Sequence, residues 1–194
     1  MVADLARILE VEYPNTDKTG RDAGATRDAG ATRDAGATRD AGATRDEGGE
    51  WRVYRVGGTL GDKIRQVREL EDEDGPVDAA VEVHFNAAAG GGCGTEVLFG
   101  TGARDRELAE AVQRQLVTRL QLNDRGVKFA DYQGTAEADE CGWTRDIEGP
   151  AIIVEPLFLS DAVEGARLDD PGFRGLIAEG IAAGVWDFLK KGKK

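Results

Sequence analysis

From Arg21 to Thr44 the sequence repeats "RDAGAT" four times, and a fifth copy beginning at Arg45 decays into "RDEGG". This repeat constrains the fold more than any other feature. A six-residue period suits a β-helix, but that fold needs a large aliphatic side chain in each coil. Each copy here offers only Ala, Gly and Thr beside an Arg–Asp pair. Such a segment cannot bury enough apolar surface to offset the entropy of ordering it. Residues 20–49 are therefore expected to be a disordered insert, open to trypsin at the repeated arginines. The remainder of the 194 residues is expected to form a single domain, 40% of the whole sequence being hydrophobic.

The elements outside the repeat alternate. Val2 to Glu12 has helical spacing, stopped by Pro14 and Asn15. "WRVYRV", Trp51 to Val56, alternates like a strand. Leu60, Ile64, Val67 and Leu70 form one stripe of a helix over 60–72. "VDAAVEVHFNA" and "GTEVLF", ending at Ala87 and Phe99, read as strands. Residues 104–122 read as an amphipathic helix, and "AIIVEPLFL", Ala151 to Leu159, as a buried strand. "PGFRGLIAEGIAAGVWDFLKK" reads as a last helix with proline just inside its start. Helices alternating with nearly continuous apolar strands predict an α/β fold, three layers deep, with a mainly parallel sheet covered on both faces.

The net charge of −12 and pI near 4.6 disfavour binding to nucleic-acid phosphates. The basic tail Lys190, Lys191, Lys193 and Lys194 reads as a solvated helix end. No apolar run is long enough to span a bilayer. The N-terminus lacks the h-region and cleavage site of a signal peptide. Cys93 and Cys141 match no metal-binding spacing, and the sequence does not decide whether they pair. A monomer is expected.

Two polar residues interrupt apolar strands. His84 is the one histidine in the chain, and it shares a strand face with Glu82 and Asn86, opposite Val81, Val83 and Phe85. Glu155 follows four apolar residues, where an unpaired carboxylate is costly to bury. An imidazole and a carboxylate at strand ends are the minimum for zinc-assisted hydrolysis. They equally suit a structural His–Glu pair.

In order and spacing these pieces resemble the zinc-dependent N-acetylmuramoyl-L-alanine amidases that cut peptidoglycan, both cell-wall enzymes and phage endolysins. "VDAAVEVHFNA" is similar to that family's strand ending in a zinc-binding His and an Asn-Ala turn. "RELAEAVQRQLVTRLQLNDRGVK" resembles its long helix and exit, and "PAIIVEPLFLSD" its closing strand with a catalytic Glu. The resemblance implies peptidoglycan as partner, action at the cell wall or as a phage lysin, zinc as cofactor, His84 as a metal ligand and Glu155 as general base. Glu82 is the one neighbour placed to add a ligand, though a strand-end carboxylate facing solvent or a helix is its plainer reading. Asn86, Arg145 and Arg125 are candidates for lining a substrate groove. The family holds zinc with two His and one Glu. The first His belongs to a "GHGG"-type turn and the Glu to the helix after it, and neither has a counterpart here. "MVADLARILEVEYPN" resembles the remainder of that helix, so the sequence reads as N-terminally truncated. It is expected to hold zinc weakly and to be inactive as written. The alternative is a non-catalytic relative that binds cell-wall glycan or peptide.

Overall fold

The computed structural model describes residues 38–40, 53–89, 91–130 and 142–191. The N-terminal helix expected over 2–12 and most of the repeat lie outside them. Within the insert, β1 (Thr38–Asp40) pairs antiparallel with β2 (Val53–Arg55), Arg39 opposite Tyr54.

The remaining elements form a three-layer αβα unit. They are α1 (Leu60–Asp74), β3 (Ala80–Val83), β4 (Thr95–Phe99), α2 (Asp105–Leu120), β5 (Asp124–Phe129), α3 (Gly142–Asp146), β6 (Ala151–Glu155), α4 (Ala162–Ala166) and α5 (Pro171–Lys191). The sheet order is β3-β6-β4-β5. β3 runs parallel to β6, and β4 parallel to β5, while β4 and β6 are antiparallel. The connections explain this mixture. A helix links β4 to β5, as a parallel crossover requires, whereas the described residues between β3 and β4 contain no helix.

Alternation along the strands separates two cores. Val97, Ile152 and Val154 face α2 and α5, joining Leu108, Val112, Leu116, Ile177 and Phe188. Ala80, Ala151 and Ile153 face the other way, packing with Val67 of α1 and Trp143 of α3. Helices α2 and α5 approach closely because Gly180 and Gly184 lie against Leu116 and Val112. β6 stops at Glu155, four residues short of the expected Leu159, because Pro156 has no N–H to continue the ladder. β5 was not expected from sequence.

A capping box fixes where α1 begins. The Thr59 hydroxyl accepts from the Asp62 N–H, and the Asp62 carboxylate accepts from the Thr59 N–H. This places Lys63 in the first turn, beside the end of β3.

Candidate functional site

The register brings the polar strand residues together. Val83 pairs with Val154, so His84 and Glu155 are the next residues along two parallel neighbours. The His84 N–H donates to the Val154 carbonyl at 2.9 Å. Across the antiparallel ladder Glu96 lies opposite Glu155. Glu82, His84, Glu96 and Glu155 therefore share the α1-side face of the sheet, just beyond the apolar core of Ala80, Ala151 and Ile153.

Two clusters result. In the first, Asn86 Nδ2 donates to Glu96 Oε1 at 2.9 Å and also to Glu155 Oε2. Arg125 Nε and Lys128 Nζ both donate to Glu96 Oε2. Glu96 is 4% exposed, and burial alone would raise its pKa. The Lys128 and Arg125 hydrogen bonds outweigh burial and hold its carboxyl below the ordinary range. Among the described residues Glu155 has no cation of its own. Burial, then the hydrogen bond and negative charge of Glu96, push its pKa up to about 7, against the smaller opposing pulls of Asn86 and His84. A proton taken up by this pair is therefore held mainly by Glu155.

In the second cluster Glu82 Oε1 accepts from Lys63 Nζ at 2.8 Å and lies 3.2 Å from His84 Nε2. Glu82 is 6% exposed. Its pKa lies below the ordinary value although burial pushes it up, because His84 and Lys63 both hydrogen-bond its charged form. Its Oε2 has no partner among the described residues.

Of the residues singled out from sequence, Glu155, His84, Glu82 and Asn86 come to one end of the sheet. Both amide hydrogens of Asn86 are engaged by carboxylates, so only its Oδ1 remains to meet a substrate. Arg145 stands on α3 and forms a fork with Asp146, at 2.8 Å for each contact. It is not among the side chains bonded to Glu155, Glu96 or Asn86. Arg125 does reach the site, and its guanidinium also lies 4.7 Å over the Phe158 ring. Cys93 is an exposed free thiol, and Cys141 lies outside the described residues. Sequence reading missed Glu96, Lys63 and Lys128. Glu96 carried the same signal as Glu155, a single carboxylate within an apolar strand.

Zinc would need three protein ligands. Among the described residues no group of three or more His, Cys, Asp or Glu side chains could hold a metal ion. His84 Nε2 faces a carboxylate that is already paired with Lys63. The described residues do not fit the ion.

The chain belongs to the N-acetylmuramoyl-L-alanine amidase family, whose profile matches residues 60–187. That span runs from α1 almost to the end of α5 and contains His84, Glu96 and Glu155. An uncharacterized cell wall amidase of Bacillus anthracis is 30% identical over 122 residues, covering 58% of this chain and 21% of its own length. The endolysin of Bacillus phage SPP1 is 30% identical over 124 residues, covering 60% and 42%. The chain thus spans half or less of the length of the curated relatives it matches. Among solved structures, an N-acetylmuramoyl-L-alanine amidase of Clostridium difficile 630 aligns with TM-score 0.54 at 26% identity, over 66% of this chain and 65% of that one. The catalytic domain of the amidase CwlV from Paenibacillus polymyxa aligns with TM-score 0.57 over 68% and 66%, and at 23% identity shows the shared fold. No helix among the described residues is long and apolar enough to cross a membrane.

Proposed function

We propose that the Glu155 end of the sheet receives the peptidoglycan amide between N-acetylmuramic acid and L-alanine, with Glu155 as general base and then general acid. The observation that supports this is the placement of Glu155 opposite Glu96 at a strand end, the two bridged by Asn86, where burial and Glu96 push the Glu155 pKa up to about 7. A group half-protonated near neutrality can serve in both directions. Glu155 takes a proton from water as the water oxygen adds to the amide carbon. It returns that proton to the nitrogen as the C–N bond breaks, giving a lactyl carboxylic acid and a free L-alanine amine. Glu96, kept ionised by Arg125 and Lys128, holds the proton on Glu155 between the two steps.

The family resemblance adds zinc to polarise the carbonyl, but no complete ligand set stands among the described residues, and no step here passes through a metal. Hydrolysis by this chain as written is expected to be slow or absent, and a non-catalytic relative that binds cell-wall glycan or peptide is the alternative reading. The test is co-sedimentation with insoluble peptidoglycan, together with mass-spectrometric detection of released peptides that begin with L-alanine. Binding by the chain and by Glu155→Gln is expected, with any release lost in the variant. Failure to co-sediment would remove the reading.

A further inference from the structure

Glu82 and His84 stand two residues apart on one face of β3, and a single oxygen, Glu82 Oε1, meets both Lys63 Nζ and His84 Nε2. We propose that Lys63, acting through Glu82, is the resident cation at His84, and that this internal ion pair keeps zinc off the imidazole. The inference takes the location of the site from the proposed function, but its test uses no peptidoglycan.

The argument begins with burial. A carboxylate that is 6% exposed needs compensating charge or hydrogen bonds. Lys63, 30% exposed, supplies a whole charge at 2.8 Å. His84 supplies the second contact, at 3.2 Å. An ionised carboxylate oxygen at that distance favours the protonated form of Nε2, and a protonated ring nitrogen has no lone pair for a metal.

The separation alone does not decide the matter. Two ligands on one tetrahedral zinc, with bonds of about 2.0–2.1 Å, stand roughly 3.3 Å apart. Lys63 does decide it. An ammonium within hydrogen-bond distance of the oxygen that would bind the ion occupies the approach and repels a dication. Arg125 and Lys128, bonded to Glu96 on the same face, add two more positive charges. Among the described residues, Lys63, Arg125 and Lys128 thus stand within ion-pair distance of Glu82 and Glu96 on the face that a metal ion would approach. Glu82 Oε2 is buried and has no partner among the described residues, so the test must report on the imidazole itself.

His84 is the sole histidine of the chain, so long-range proton–nitrogen spectra of the full chain labelled with nitrogen-15 histidine show its two ring nitrogens without assignment. Zinc chloride is titrated into the native chain, Lys63→Arg and Lys63→Met. In the native chain and in Lys63→Arg, Nε2 is expected to be protonated and unmoved at one equivalent of zinc. In Lys63→Met, zinc should move the His84 signals with an affinity higher by about tenfold or more, because a unit charge close to the ion has been removed. Saturation of the native His84 signals at one equivalent would overturn the proposal. So would a folded Lys63→Met no more responsive than the native chain. If Lys63→Met does not fold, Lys63→Gln, which keeps a donor to Glu82 without the charge, takes its place with the same expected gain. Loss of peptidoglycan binding would count against the proposed function and leave this result standing.

Discussion

Glu96 stands directly opposite Glu155 in the β4–β6 ladder, and one asparagine, Asn86, donates to both carboxyl groups. Like charges placed opposite each other across a sheet destabilise it unless one is neutralised. Here the partners are unequal. Glu96 has Arg125 and Lys128, and Glu155 has neither. The proton therefore settles on Glu155, at the end of β6.

The first prediction concerns stability and pH. The folded pKa of Glu155 is raised from 4.5 to about 7. The native state keeps a proton that the unfolded chain releases. Its contribution is present in full below about pH 4.5 and is lost as pH rises through 7. Glu155→Gln should remove that slope, making the variant relatively more stable at alkaline pH by on the order of 2 kcal/mol. Glu82 and Glu96, with lowered pKa values, act in the opposite sense and in a more acid range than the window compared. Urea unfolding of both proteins at about pH 5 and about pH 8 measures it. A difference that stays constant with pH would contradict the assigned proton.

The second separates the causes of that raised pKa. Burial is the largest, and the contact with Glu96 comes next. Glu96→Gln removes the charge but keeps the shape. The Glu155 pKa should then fall by about one unit and stay above the ordinary value, because burial persists. The change should also cost roughly 1–3 kcal/mol of stability. Arg125 and Lys128, 31% and 41% exposed, can turn to solvent and limit that cost. Carboxyl carbon-13 NMR titration reads Glu155 in the native chain and in the variant. A Glu155 pKa still near 7 in the variant would leave burial as the sole cause.

Strands β3, β4 and β6 and helices α1, α2 and α5 were legible because buried strands and long amphipathic helices carry strong periodic signals. α5 was expected over Pro171–Lys191 and occupies that range. β5 was not legible. "DRGVKF" alternates weakly and contains a glycine at φ 76° and three charged residues, as an edge strand with part-exposed faces tolerates. His84 and Glu155 stood out as polar residues in apolar runs. Glu96 stood out equally and was passed over, since nothing in one sequence shows that two strands place their carboxylates in register. Lys63 was hidden more deeply. It is an ordinary helix-surface lysine until the Thr59 cap aims the first turn of α1 at β3.

A third prediction tests the packing of α2 on α5. A methyl group at Gly184 would come within 2.4 Å of Val112 Cα and 2.8 Å of Val112 Cγ2. Backbone cannot yield there without separating the helices. Gly184→Ala should destabilise by about 1–3 kcal/mol or more, despite the better helix propensity of alanine. Gly175→Ala, on the same helix with nothing within 4 Å of the added carbon, is the control and should be neutral or slightly stabilising. Thermal unfolding of the two variants compares them. Equal midpoints would mean that α5 does not pack through Gly184.

The last prediction concerns Glu164, a buried carboxylate that joins the loops on either side of the carboxyl pair. Its Oε1 accepts from the Gly94 N–H at 2.7 Å, just before β4, and its Oε2 accepts from the Phe158 N–H at 3.0 Å, just after β6. It is 6% exposed, and Asp161 caps the short helix that carries it. Both backbone donors are buried with it, and each would be left unsatisfied in Glu164→Ala, at about 1–3 kcal/mol for each group. In Glu164→Gln the amide keeps one acceptor and turns a donor toward the other N–H, so its loss should fall between the native chain and the alanine variant. Gly94 cannot adapt readily, since its φ of 107° and its approach to the Asn123 carbonyl hold the loop in place. Amide hydrogen exchange gives the site-specific readout. The Gly94 and Phe158 amides should exchange faster in Glu164→Ala by more than the drop in global stability accounts for. Unchanged local protection would show that the two loops are held by other contacts, and that Glu164 does not set the spacing between Glu96 and Glu155.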